Sequence, residues 1–275
     1  MLAVAEHDGV QMARGTIRFL GGRFKACLYV VDGLVIDTGP RTLRSETIPF
    51  LRDIPVEQVA LTHLHEDHVG LAHWLSQSKG AEVLIHSQAV PVALKGSPLP
   101  WHRRVCWGSY IPFASRPLPE KIERDHHTFE VIPTPGHTED HVVFYERNKG
   151  WLFTGDFFIT THPVQWDPNE SAEQFFMSFE RVLSLDFDTI FCGHAGIITG
   201  NGKDLLRQKF EYLLDLRERV VALYKKGYSL RQIDRTLFPQ KPITTYITSG
   251  QWSSYHMVAS LLESARDYLK PAELA

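Results

Sequence analysis

The chain has 275 residues, 43% of them hydrophobic, with a formal net charge of −3, so it can bury a large core and carries no electrostatic footprint for nucleic acid or an anionic membrane. Its three cysteines, Cys27, Cys106 and Cys192, lie far apart with no C-x-x-C pair, which argues against a disulfide framework or a zinc ribbon and fits a reducing, cytoplasmic setting. The N-terminal run MLAVAEHDGVQMARG lacks the basic and apolar stretches of a signal peptide, and no window reaches the ~18 apolar residues of a membrane span.

In chain order, strands are predicted near 10–18, 26–31 and 33–37, then a helix over 42–52. VEQVALT (56–62) is β-branched and apolar and reads as a strand, and a helix is expected over 68–78, where VGLAHWLSQ (69–77) has helical apolar spacing. Between them lies THLHEDHVG, which sets His63, His65, Asp67 and His68 in the pattern H-x-H-x-D-H on a strand-to-helix loop. A strand near 82–86 precedes KGSPLPWHRRVCWGSYIPFASRPLPE (95–120), a proline-rich and aromatic segment with little periodicity. Long irregular segments in compact domains are usually functional, and this one is expected to be a lid or pocket wall. Trp101, Trp107, Tyr110 and Phe113 would line it, and Arg103 and Arg104 are its candidate anion binders.

A second strand group is predicted near 128–133, 141–147, 150–155 and 188–192, with a helix near 171–184. Three further metal-competent residues stand at its loops. TPGHTEDH places His137 after a Pro-Gly turn, FTGDFF places Asp156 at the end of WLFTG, and IFCGHAG places His194 between glycines. Five imidazoles and two carboxylates exceed one tetrahedral ion but suit two ions sharing a carboxylate and a hydroxide. Residues 201–275 are expected to be helical over 203–226, 229–237 and 252–269. They are expected to form an extension used for packing or for contact in a possible homodimer. The GYSLRQIDRTLF run faintly resembles a helix-turn-helix, but Lys225, Lys226 and Arg231 make only a small basic patch.

The ordered set H-x-H-x-D-H, G-H, G-D, G-H, together with LYVVDGLVIDTGP (28–40), resembles the metallo-β-lactamase superfamily, of the glyoxalase II and lactonase type. Periodicity by itself gives an α/β fold. The resemblance implies a four-layer αββα sandwich over residues 1–200, with 201–275 as the helical extension. It further implies that His63, His65 and His137 hold one metal, that Asp67, His68 and His194 hold a second, and that Asp156 bridges. The ions would be two Zn2+, with iron or manganese as alternatives. Asp67 would also move the proton. Asp37, in the IDTG turn, is expected to order the ligand loops by hydrogen bonding, His141 to support the site from behind, and Glu66 to face solvent.

The expected activity is hydrolysis of a small ester, thioester or lactone carbonyl by a hydroxide shared between the metals. The tail lacks the Arg/Lys cluster that binds glutathione in glyoxalase II proteins, which counts against a glutathione thioester. The runner-up is an endoribonuclease or phosphodiesterase on the same fold, against which the charge balance argues. An iron-dependent sulfur dioxygenase is a third reading, and a non-enzymatic sensor a fourth. Flavodiiron proteins resemble H-x-E-x-D at this motif, and His at position 65 argues against that reading.

Overall fold

The computed structural model describes residues 2–265, which fall into two compact units. The first takes the chain up to Pro133, Asp140–Ile159 and Asp186–Lys203; the second takes Thr134–Glu139, Thr160–Leu185 and the chain from Asp204.

The first unit opens with an antiparallel meander of β1 (Leu2–His7), β2 (Val10–Phe19), β3 (Gly22–Val31) and β4 (Leu34–Ile36). Two of its turns read Asp-Gly, with Asp8 and Gly9 at φ 49° and 86° and Asp32 and Gly33 at 51° and 75°. Positive φ at both positions gives the twist a tight hairpin needs, and glycine takes the second position without steric cost. The chain then changes to parallel pairing, which requires crossovers. Helix α1 (Arg44–Arg52) leads to β5 (Gln58–Ala60). Helices α2 (Glu66–Val69) and α3 (Ala72–Lys79) lead to β6 (Glu82–Ile85), and α4 (Val90–Lys95) and α5 (Trp101–Cys106) to β7 (Arg116–Pro117). Strand order β1 to β7 follows the sequence.

The second sheet comprises β8 (Lys121–Glu123), β9 (Thr128–Pro133), β10 (Val142–Glu146), β11 (Trp151–Gly155), β12 (Thr189–Cys192) and β13 (Gly196–Ile198), in the order β13 to β8. Only β11 and β12 pair parallel. The two sheets lie face to face. One core joins Met12, Tyr29 and Ile36 to Phe144, Phe153 and Phe191, and Tyr29 meets Phe153 and Phe191 edge-on at 5.6 and 5.4 Å. Alternate residues of β3, Leu28 and Val30, turn to the other face, where they pack with Leu51 of α1, Leu75 of α3 and Ala93 of α4.

The second unit is helical: α6 (Ala172–Leu183), α7 (Gly202–Lys225, entering from the first unit), α8 (Leu230–Leu237), α9 (Ile243–Ile247) and α10 (Ser254–Glu263). The Ser171 hydroxyl caps α6 by accepting from Gln174 N. Phe175 of α6 stacks on Trp166 at 5.3 Å, and the buried Lys209 of α7 sets its ammonium 5.0 Å from the Phe175 ring centre. Of the helix expected over 252–269, residues 266–269 lie outside the described residues.

Three expectations about elements are corrected. The helix expected over 68–78 is two helices, because Thr38 intrudes: its N–H and hydroxyl both donate to His68 O (2.7 and 2.9 Å), and its hydroxyl accepts from Leu71 N (3.0 Å). The segment 95–120 is not irregular, since it contains α5 and the edge strand β7. The hydrophobic pattern also does not anticipate β1, β7, β8 or β13. These four are the outer strands of the two sheets, and an edge strand needs no two-sided apolar pattern.

Candidate metal centre

The site grows from strand ends in the first unit. Asp37 follows β4, His63 follows β5, Asp156 follows β11 and His194 follows β12. Hydrogen bonds draw these ends together. Thr62 N donates to Asp37 Oδ1 (2.9 Å), Val142 N to Thr62 O (2.8 Å), Gly193 N to Gly155 O (3.0 Å) and Cys27 N to Gly193 O (2.7 Å). Ligand sites in open parallel sheets favour such carboxyl ends, because loops there leave the ladder while the strands hold them in place.

Asp37 is the hub, as the sequence leads one to expect. Its buried carboxylate accepts from Thr62 N, from Thr62 Oγ (2.9 Å to Oδ2) and from His68 Nδ1 (2.7 Å). The Thr62 hydroxyl gives its proton to Asp37, so towards His63 Nδ1, 3.1 Å away, it acts as acceptor. His194 Nδ1 faces the carbonyl of Lys25, which can only accept. All three imidazoles thus carry the proton on Nδ1 and keep the Nε2 lone pair for a metal. His141, fully buried, accepts from Asp156 N through Nε2 (3.2 Å), and Asp140 Oδ2 accepts from Leu64 N (2.8 Å).

The potential ligand atoms form two groups in this unit. His63, His65 and Asp156 each offer an atom, as do Asp67, His68 and His194, and within each group these atoms lie within 4.8 Å of one another. Asp156 adjoins both groups: its Oδ1 is 3.2 Å from His68 Nε2 and 2.8 Å from His194 Nε2. Asp67 Oδ2 stands 3.8 and 3.6 Å from the same two nitrogens. Burial by itself would lower the His68 pKa, but the Asp37, Asp156 and Asp67 carboxylates outweigh it and hold it well above the usual range. At His194 burial again opposes, and Asp156, then Asp67, raise the pKa to about 9. The centre therefore demands positive charge. Imidazole nitrogens and carboxylates arranged in this way fit a divalent cation.

His137 stands in the second unit, on the loop Thr134–Glu139. The start of α6 grips this loop: Ser171 N donates to Gly136 O (2.8 Å), and Ser178 Oγ to Pro135 O (2.8 Å). His137 Nδ1 lies 3.4 Å from Glu170 Oε1.

The wall residues divide. Trp107 is buried with its ring 6.2 Å from that of His194 and 5.8 Å from Phe24. Trp101 is half exposed beside Phe19, and Arg104 is exposed. Tyr110 is buried and packs with Phe113 in the helix-facing core. Glu66 does not face solvent. It is 1% exposed, and Arg103 holds it bidentately, Nε to Oε1 at 2.5 Å and an Nη to Oε2 at 2.7 Å. The Arg103 fork expected to meet a substrate anion is thus engaged by a carboxylate of the chain itself. Sequence reasoning missed this pair because the partners are 37 positions apart. It also missed Cys192, whose Sγ accepts from His194 N (3.3 Å) and Ala195 N (3.1 Å) and so fixes the His194 turn.

The sequence model of the metallo-beta-lactamase superfamily matches residues 21–194, which include every residue of both groups. The chain belongs to this superfamily. A Bacillus subtilis protein named probable metallo-hydrolase is 24% identical to it over 77% of this chain and 80% of that protein. A hydroxyacylglutathione hydrolase of Aliivibrio fischeri is 25% identical over 85% and 84%. A solved metallo-beta-lactamase family protein of Thermus thermophilus superposes with a TM-score of 0.68 at 21% identity, covering 94% of each chain. Its fold is the α/β sandwich of the superfamily, with helices at the C-terminal end. As a member of the metallo-beta-lactamase superfamily the protein is a metal-dependent hydrolase, and the His/Asp cluster is its divalent-metal centre. No helix among the described residues is long and apolar enough to cross a membrane.

Proposed function

We propose that this metallo-beta-lactamase superfamily hydrolase cleaves a small ester, thioester or lactone with the help of two zinc ions. His63, His65 and His137 would hold one, Asp67, His68 and His194 the other, and Asp156 would serve both. The observation that carries this reading is the pair of donor groups meeting at Asp156, whose Oδ1 lies within 3.2 Å of two imidazole nitrogens. All seven residues precede position 200, which supports residues 1–200 as the hydrolase domain, with the helices α7 to α10 as the extension that follows it.

Divalent metal supplies Lewis acidity, drawing charge from an acyl carbonyl and lowering the pKa of water towards neutrality. The side chains do the rest. Asp37 and Thr62 fix the His68 and His63 rings, so no rotamer search precedes reaction. Asp67, buried between His68 and His194, takes the proton of the attacking water as its oxygen bonds to the acyl carbon. As the carbon–oxygen or carbon–sulfur bond breaks, Asp67 returns that proton to the leaving atom. Trp107 closes one side of the centre to water.

The hydroxyacylglutathione hydrolase relatives support a thioester within the acyl class. The test is elemental analysis of protein purified without added metal, then kcat/KM on a glutathione thioester, an uncharged acyl thioester, an acyl lactone and a single-stranded RNA at one salt concentration. Two zinc equivalents and acyl cleavage are expected. Efficient cutting of RNA with every acyl substrate at background would replace this reading with the nuclease.

A further inference from the structure

We propose that Arg103 is a positioning residue for the Asp67–His68–His194 group, acting through Glu66; this rests on the two-metal reading above. Glu66 and Asp67 are consecutive carboxylates in the first turn of α2, and both are buried. A buried carboxylate is tolerated only when paired, and Arg103 supplies the pairing with both prongs of a planar fork. Its own side chain is 12% exposed, so the pair is shielded from solvent.

The pair also fixes where α5 lies. The middle of that helix is held at Arg103. Its C-terminal end is held by Thr42, whose hydroxyl donates to Cys106 O (2.9 Å) and whose N–H donates to Trp107 O (3.1 Å). Thr42 follows the turn that carries Asp37 and Thr38, which grip His68 through its ring and its carbonyl. Trp107, just past the helix, packs its ring 6.2 Å from His194. The same short helix therefore borders all three members of the group: Asp67 through its neighbour Glu66, His68 through the Asp37 turn, and His194 through Trp107. A lone surface arginine reaching for substrate would need none of these anchors. Loss of the fork frees one anchor of α5 and leaves the buried Glu66 carboxyl without its partner beside Asp67.

The experiment compares wild type, Arg103→Met, Arg103→Lys and the double variant Glu66→Gln/Arg103→Met. Each is stripped by chelator and titrated with Co2+ while the d–d absorption is followed, with KM and kcat measured for a charged and an uncharged acyl ester. Arg103→Met is expected to loosen the weaker Co2+ step by about 10- to 100-fold, the usual effect of removing support behind a ligand. Arg103→Lys, which keeps the charge but not the fork, should loosen it less, and the double variant should recover most of the loss. kcat should fall for both esters with KM little changed. An unaltered Co2+ curve for Arg103→Met overturns the proposal, and so does a KM raised only for the charged ester with metal affinity intact, which makes Arg103 an anion receptor. Should Arg103→Met fail to fold, the lysine variant decides: binding as tight as wild type overturns the assignment, weaker binding supports it. If wild type takes up a single ion, the two-metal reading fails on its own, and the same comparison at that ion still judges Arg103.

Discussion

His68 donates its Nδ1 proton to Asp37 across 2.7 Å, with both side chains buried, and this bond ties the end of β4 to the ligand helix α2. It selects the tautomer that leaves Nε2 towards Asp67 and Asp156. Asp37→Asn keeps an acceptor for Thr62 N but can present an amide N–H to His68, favouring the other tautomer. The fold should survive, while metal affinity at the Asp67–His68–His194 group drops by about 10- to 100-fold. Calorimetric zinc titration of the stripped protein checks this, and an unchanged curve would sink the tautomer argument.

Asp67 is set apart from the other proposed ligands by its proposed proton transfer. Asp67→Asn retains an oxygen for metal but cannot take a proton at neutral pH. Its kcat should fall by about 100-fold or more, a larger factor than its loss of metal affinity. Near-normal turnover at full metal loading would make Asp67 a ligand only.

The metal-stripped protein should lose stability on the alkaline side. His194 has a folded pKa of about 9 against 6.5 for the free side chain, and His68 is shifted in the same direction. A raised pKa stabilises the fold fully below 6.5, where the group is protonated in both states, and that contribution drains away as pH rises through about 9. Denaturant melts of stripped protein at pH 6, 7.5 and 9 should show falling midpoints. Metal-loaded protein, with zinc in place of those protons, should fall less. By the same linkage, zinc binding should weaken as pH drops below about 9, because protons compete for His194. A stripped protein more stable at pH 9 than at pH 6 would contradict the sign.

Gly70 carries no side chain because another piece of backbone occupies the space. A Cβ there would lie 2.4 Å from Arg41 N and 2.6 Å from Gly39 O. Gly70→Ala must push the 39–41 turn away from α2, at a cost of about 1–3 kcal/mol. A thermal midpoint lowered by several degrees is expected. A midpoint equal to wild type would show that the turn yields freely.

Trp107 and Tyr110 occur in one aromatic segment but meet different surroundings. Trp107 faces His194, whereas Tyr110 packs with Phe113 in the core. Trp107→Phe should alter the ratio of kcat/KM between short and long acyl chains with metal content intact, and Tyr110→Phe should leave that ratio unchanged. Equal effects from the two variants would remove Trp107 from the substrate wall.

What the sequence determined by itself is local. The donors His63, His65, Asp67 and His68 fall within six positions, and their spacing shows in the letters, as does the adjacency of His137, Asp156 and His194 to glycines. The inner strands show because two-sided burial demands apolar runs, as in TIFC of β12 and LVI of β4. The outer strands β1, β7, β8 and β13 do not show, since partners on one side alone can hold them in place. Long-range polar pairing is hidden in the same way. Arg103 reads as a surface cation and Glu66 as a surface anion until the chain folds back and buries them against each other. The break between α2 and α3 is a further case, because Thr38 and the backbone at Gly39–Arg41 interrupt a helix whose own residues would continue it. Local patterns pick out which side chains are competent to bind metal. Only tertiary contact decides which charge is paired, which aromatic ring faces the metal centre, and which imidazole nitrogen is left to bind.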